Sequence, residues 1–109
     1  MPMNTLRRYQ VASGKELVTE WLDGLKDMRA RAKIQARIDR LESGNPGDCE
    51  PVGEGVSELR VHYGPGYRVY HCQVGRQIVL LLCGGDKDTQ QADIKRAIAC
   101  KHDFEERTK

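Results

Sequence analysis

Arg60, Arg68 and Lys87 are the residues whose positions first suggest chemistry in this sequence. Arg60 lies in the segment ELRVHY (residues 58–63), Arg68 lies in YRVYHCQV (residues 67–74), and Lys87 follows the apolar segment QIVLLLC (residues 77–83). An arginine fork grips two phosphate oxygens and stays charged at any working pH. Arginines inside predicted strands, and not only in loops, therefore indicate a surface that could hold a polyanion.

The segments around these residues have the pattern of short β-strands joined by tight turns. The segment GPG (residues 64–66) predicts the first turn, because proline fixes φ and glycine allows positive φ. The segment VGR (residues 74–76) predicts the second, between runs of β-branched and aromatic residues. Residues 78–83 are apolar at every position, which predicts a central strand buried on both faces.

The N-terminal half contributes one predicted strand, residues 5–11, and two predicted helices. Ser13 and Glu16 have the spacing of a capping box at the start of the first helix, and Gly24 is placed to end it in a left-handed C-cap. The second helix is predicted from about Asp27 to Glu42, because apolar residues recur along one stripe: Ala30, Ile34, Ile38 and Leu41. The short link between the helices predicts an antiparallel hairpin.

The remaining segments complete an α+β fold. Residues 48–57 (DCEPVGEGVS) are rich in turn residues and predict a loop or an irregular edge segment. A last helix is predicted after Thr89. The order strand, helix, helix, strand, strand, strand, helix predicts one domain over residues 1–109. That domain is a four-stranded antiparallel sheet with the helical hairpin on one face and a C-terminal helix.

Composition and cysteine spacing exclude several classes of protein. With 39% hydrophobic and 31% charged residues, the chain is too apolar for a disordered protein. Its four cysteines form no CxxC pair, so they provide no zinc site and predict reduced thiols in the cytoplasm. No apolar run approaches the ~18 residues of a membrane span. A net charge of +2 does not by itself indicate nucleic acid as a partner.

Six segments of the chain together resemble one known family. They read WLxxLKD (21–27), ARIxRL (36–41), GNPGD (44–48), VGEGVxELR (52–60), YGPGYRVY (63–70) and LLxGGDKxxQxxDI (81–94). In this order they are similar to the RelE/ParE superfamily of toxins from bacterial type II toxin–antitoxin modules. They most resemble its HigB-like, phage Gp49-related branch, the addiction module killer proteins. The resemblance covers residues 5–100 and implies a RelE-like fold.

The superfamily divides in activity, and the resemblance favours one branch. RelE and HigB members cut messenger RNA, usually in the ribosomal A site, whereas ParE members poison DNA gyrase. The resemblance implies an mRNA endoribonuclease (mRNA interferase) that arrests translation and uses no metal or other cofactor. In such members the site lies on the open face of the sheet, where a ribose 2′-hydroxyl attacks the neighbouring phosphate. The alternatives are a gyrase inhibitor with no nuclease step and an inactive member that keeps only the fold.

The same resemblance implies a set of partners. They are mRNA and the ribosome, a helix-turn-helix antitoxin that neutralises the toxin, and operator DNA only through the antitoxin complex. All of these are cytoplasmic, and no membrane is involved. An antitoxin that covers a basic surface should present an acidic segment to it.

The resemblance also assigns candidate roles to five residues. Arg68 falls at the position of a catalytic arginine, and the alternative for it is a solvated strand charge. Arg60 would grip phosphate or position RNA, unless it serves only in a surface ion pair with Glu58 or another acid. Lys87 falls where RelE has a second arginine and keeps its charge without the fork. His62 is a candidate general base, since imidazole titrates near working pH, or an ordinary strand-end histidine. Tyr67 could stack on a base, or pack in the sheet.

Other positions depart from the nuclease pattern. Some RelE members use a tyrosine in the last helix, but this chain has no tyrosine after Tyr70, and Asp93 is nearest to that place. His71 is a weaker candidate base, because strand alternation places it on the face opposite Arg68. Trp21 is predicted to pack in the core rather than to stack on a ligand.

Overall fold

The computed structural model describes residues 4–109, and a five-stranded mixed sheet lies at its centre. The strands are β1 (Thr5–Arg8), β2 (Cys49–Gly53), β3 (Val56–Val61), β4 (Tyr67–Val74) and β5 (Ile78–Asp86). Their spatial order is β1-β5-β4-β3-β2. The α+β class and the three-stranded meander are confirmed, but the prediction of four antiparallel strands is wrong.

Two strands account for the difference. β1 pairs with β5 in parallel, whereas all other neighbouring strands are antiparallel. Residues 48–57, predicted as a loop or an irregular edge segment, contain β2, which pairs with β3 as an edge strand with a register shift. Pro51 is tolerated there because an edge strand can turn the nitrogen that lacks a proton away from the ladder. The β2 register shifts between Pro51 and Gly53, as the turn-rich sequence would require.

The first two helices lie on one face of the sheet. They are α1 (Leu17–Gly24), which contacts mainly β5, and α2 (Met28–Glu42), which contacts mainly β3. The predicted bounds of α2 are confirmed, and Asp27 caps it by accepting hydrogen bonds from the amides of Arg29 (2.9 Å) and Ala30 (3.2 Å). Because each helix packs chiefly on the sheet, the predicted hairpin is only partly matched.

The start and the end of α1 differ from the prediction. The predicted capping box at Ser13 is wrong: α1 begins after Glu16, which makes no side-chain cap. The Glu16 carboxylate instead accepts a hydrogen bond of 2.6 Å from the hydroxyl of Thr19. The predicted left-handed cap at Gly24 is also wrong, because the extended Leu25 follows it as C-cap.

Helix α3 (Gln90–Arg107) covers the other face of the sheet. Hydrophobic clusters therefore lie on both faces, one under α1 and α2 and one under α3. β5 is buried along nearly its whole length, which confirms the prediction from its apolar run. The resemblance predicts a site on an open face of the sheet, but in this structure α3 packs on that face. Within residues 4–109, no helix combines the length and apolar character that crossing a bilayer requires.

Candidate active site

Arg60 and Arg68 are directly opposite each other on β3 and β4. Opposed residues of an antiparallel pair project from the same face, so the two side chains are neighbours on the face that carries α3. They lie close to the end of the sheet, because only the Val61–Tyr67 pair follows them before the turn. The sequence predicted these arginines on adjacent strands, and the strand register places them opposite each other. Arg60 and Arg68 are called the arginine pair below.

Arg68 is held almost out of water by a carboxylate. Its Nε lies 3.2 Å from Oε1 of Glu58, and the two side chains are only 13% and 5% exposed. Arg68 Nη1 also donates to the carbonyl oxygen of Gly66 at 2.7 Å. Gln90, the first residue of α3, donates from Nε2 to both Glu58 oxygens at 3.0 and 3.3 Å. The head group of Arg68 is therefore fixed in one direction before any ligand arrives.

Arg60 belongs to a more exposed network of acids. Its Nη2 and Nε donate to Oδ1 of Asp48 at 2.8 and 3.2 Å, and Nη2 also contacts Glu50 at 3.2 Å. The bonds from Arg60, and then from His62, hold the pKa of Asp48 below its usual range, while Asp48 raises the pKa of Arg60. The ion-pair alternative for Arg60 is thus realised, but 30% of its side chain stays exposed.

His62 shares the same carboxylate. Its Nε2 bonds to Oδ2 of Asp48, and 75% of its side chain is exposed. In a neutral imidazole one nitrogen donates and the other accepts. If Nε2 donates to Asp48, then Nδ1 is left as a free acceptor for a proton. The geometry can therefore supply a base next to Arg60.

Lys87 and Tyr67 are placed differently from each other. Lys87 is exposed just beyond β5. A Cβ added to Gly66 would lie 3.6 Å from the Cβ of Lys87 and 3.4 Å from Nη1 of Arg68. Lys87 is therefore at the rim of the arginine pair. Tyr67 is buried on the opposite face and packs edge-on against Trp21, with ring centroids 6.1 Å apart. The packing alternative describes Tyr67, since stacking on a base would require the ring to leave the core.

A buried polar group lies beside the pair, under the first turns of α3. The Tyr70 hydroxyl has no hydrogen-bond partner among the described residues, and burial, followed by the Glu58 and Asp93 carboxylates, raises its pKa. Asp93 is 9% exposed and accepts a hydrogen bond from the hydroxyl of Thr89. A side chain on Gly85 would collide with Asp93, so glycine is required where α3 meets β5.

Some partners of the arginines were missed from the sequence. Asp48 was placed in a loop or an irregular edge segment, and Glu58 was considered only as a partner of Arg60. Both lie in segments that carry the family resemblance, Asp48 in GNPGD and Glu58 in VGEGVxELR. Their place in these segments could have identified them as site residues. Over residues 4–109, no three His, Cys, Asp or Glu side chains converge in a way that could hold a metal.

Comparison with known proteins points to one family. A family model described as "Phage derived protein Gp49-like (DUF891)" matches residues 20–101, which include all the residues of the arginine pair and its partners. A relative from Haemophilus influenzae, described only as an uncharacterized protein, is 56% identical over 77 residues. That match covers 71% of this chain and 78% of the relative.

Proposed function

Since the chain belongs to the Gp49-like family, the addiction module killers among the RelE-like toxins, we propose that it is a ribosome-dependent mRNA endoribonuclease. Family membership places it with toxins of toxin–antitoxin modules and implies an antitoxin as partner. The nuclease step rests on one observation: Arg60 and Arg68 stand side by side on one face, with the His62–Asp48 pair next to Arg60. That arrangement supplies cations for a phosphate and an acceptor for a proton.

The proposed reaction uses these side chains, the RNA and a proton from solvent. His62 Nδ1 takes the proton of a ribose 2′-hydroxyl as its oxygen bonds to the adjacent phosphorus. The bond from phosphorus to the 5′-oxygen of the next nucleotide breaks, and that oxygen is protonated from solvent. Arg60 and Arg68 stabilise the charge that develops on the phosphoryl oxygens. The products are a 2′,3′-cyclic phosphate and a 5′-hydroxyl.

The acids around the arginines are compatible with this role. A guanidinium has five N–H donors, and the contacts of Arg60 with Asp48 and Glu50 use Nε and Nη2. Arg60 is 30% exposed, so its remaining donors can meet a phosphate from the solvent side. Arg68 is more rigid, because Glu58 and the Gly66 carbonyl hold it. A fixed cation stabilises a transition state without reorganising at the moment of reaction.

The test compares toxicity and RNA ends in cells that express the wild type or one variant. Arg68→Lys keeps the charge and removes the fork, and Arg76→Lys is the matched control in the exposed turn between β4 and β5. We expect the wild type to stop protein synthesis before DNA synthesis and to leave 2′,3′-cyclic phosphate ends on ribosome-bound mRNA. Arg68→Lys should lose these ends, and Arg76→Lys should keep them.

The same experiment separates the other activities of the superfamily. DNA damage before protein synthesis stops would indicate a gyrase inhibitor and overturn the nuclease proposal. Growth without arrest, by a protein that is folded and free of antitoxin, would indicate an inactive member. Wild-type toxicity in Arg68→Lys would remove Arg68 from the catalytic role.

We also propose how the antitoxin acts. A helix-turn-helix antitoxin that places an acidic segment over the arginine pair and Lys87 would block RNA access. Operator DNA would then be bound only through the antitoxin in the complex. Binding of the antitoxin should weaken in Lys87→Glu, measured by titration calorimetry, because the charge at the exposed rim is reversed.

A further inference from the structure

Arg37 of α2 lies under the loop that carries Asp48. Its guanidinium donates to three backbone carbonyl oxygens: that of Pro46 at 2.9 Å, that of Asp48 at 3.3 Å, and that of Arg60, at short range. Two of these carbonyls belong to residues of the candidate active site. Arg37 therefore ties helix α2 to the Asp48 loop and to strand β3 at the same time.

Gly47 shows how closely the loop fits this guanidinium. Its φ is +67°, a conformation that favours glycine, and a Cβ added there would lie 2.9 Å from Arg37 Nη2. Glycine therefore suits this position, because a side chain there would be strained and would press against the guanidinium. The amide of Arg60 also donates to the Asp48 carbonyl at 3.0 Å, so the loop and β3 are joined on both sides of the guanidinium.

These contacts determine where the Asp48 carboxylate stands. One of its oxygens bonds to Arg60 and the other bonds to His62. Residues 43–48 form no helix or strand, so the Asp48 end of this loop needs a restraint in addition to the hydrogen bond from the Arg60 amide. The fork of Arg37, with its donors in a rigid plane, supplies this restraint. A lysine would bring the charge but not the set of directed donors.

We propose that Arg37 is a positioning residue of the nuclease, which acts on catalysis through the loop that presents Asp48. This inference rests on the proposed function. In this role Arg37 acts through the backbone carbonyls that it binds, and not by contact with the RNA. It keeps the Asp48 carboxylate where it selects the imidazole tautomer of His62 and directs the head group of Arg60. A displacement of about 1 Å in such a support can cost about a hundredfold in rate.

The experiment is a double-mutant cycle of Arg37→Lys and Asp48→Asn, with Arg40→Lys as matched control on the exposed side of the same helix. Cleavage of ribosome-bound mRNA is measured as kcat and KM, and stability is measured by urea unfolding. We expect Arg37→Lys to lower kcat about tenfold or more in the wild-type background and less than about twofold in the Asp48→Asn background. KM should change little, and Arg40→Lys should match the wild type.

A second readout does not depend on catalysis. The ¹⁵N shifts of the His62 imidazole show which nitrogen carries the proton, and we expect Nε2–H in the wild type and a mixture in Arg37→Lys. Gly47→Ala, which presses the loop away while keeping Arg37, should produce the same mixture. The proposal is overturned if Arg37→Lys lowers kcat equally in both backgrounds or leaves the tautomer unchanged. If the wild type cuts no RNA, the proposed function fails, and the tautomer measurement still decides whether Arg37 positions Asp48.

Discussion

Replacement of Arg68 by alanine should lower stability as well as activity, because it leaves the buried carboxylate of Glu58 without its cationic partner. Glu58 is 5% exposed in its side chain, and the guanidinium of Arg68 is its cationic neighbour at 3.2 Å. Removing one partner of a buried ion pair costs about 3–5 kcal/mol. Gln90 still donates to Glu58, so we expect the lower end, about 3 kcal/mol. A domain with about 5–15 kcal/mol of stability stays largely folded after such a loss.

The assay that isolates this effect is urea unfolding of a double-mutant cycle. Glu58→Gln removes the charge that Arg68→Ala would leave unpaired. We expect the double variant to be more stable than Arg68→Ala, with a coupling of about 2 kcal/mol between the sites. Its nuclease activity should remain absent, because the fork is still missing. Arg76→Ala, in an exposed turn, should change stability by less than about 0.5 kcal/mol.

Two results would refute this reasoning. Additive effects of Glu58→Gln and Arg68→Ala on the free energy of unfolding would mean that the two side chains do not interact as the 3.2 Å contact requires. Recovery of toxicity in the double variant would mean that Arg68 matters only for folding.

Four further predictions concern other residues. Burial lowers the pKa of His71 to about 4, so between about pH 6.5 and 4 the unfolded chain binds a proton that the folded chain does not. The free energy of unfolding should therefore fall by about 3 kcal/mol as pH falls through this window, and urea titrations of His71→Gln should lack that slope. Gly84→Ala would drive a Cβ into the ring of Trp21 and should cost about 1–3 kcal/mol, read by tryptophan fluorescence during unfolding. Gly24→Ala, in open space with φ outside the left-handed region, should cost nothing or stabilise by about 0.5 kcal/mol. His62→Ala should lower the cleavage rate about a hundredfold while the free energy of unfolding stays within about 1 kcal/mol, because the side chain is 75% exposed.

Local signals were sufficient for much of the fold. The stripe of Ala30, Ile34, Ile38 and Leu41 predicted α2 with nearly correct ends, because helical periodicity and an N-cap act over a few residues. The turn glycines predicted the meander, and the apolar run of β5 predicted its burial on both faces. Strand alternation predicted that His71 faces away from Arg68, and the same rule, applied to Tyr67, would have placed its ring in the core with Val69.

Two strand pairings were decided only by the tertiary structure. β2 contains a proline and a glycine and has no strand-like side-chain pattern, so its backbone bonds to β3 are what make it a strand. The parallel pairing of β1 with β5 joins segments more than 70 residues apart, for which no local signal exists. The contacts of the candidate active site were likewise decided by the tertiary structure. The sequence determined that arginines lie inside adjacent strands, whereas long-range packing decided that Glu58 meets Arg68, that Asp48 serves both Arg60 and His62, and that α3 closes the face beside them. Such contacts depend on where separate elements are brought together in space, and the residue types alone do not encode that choice.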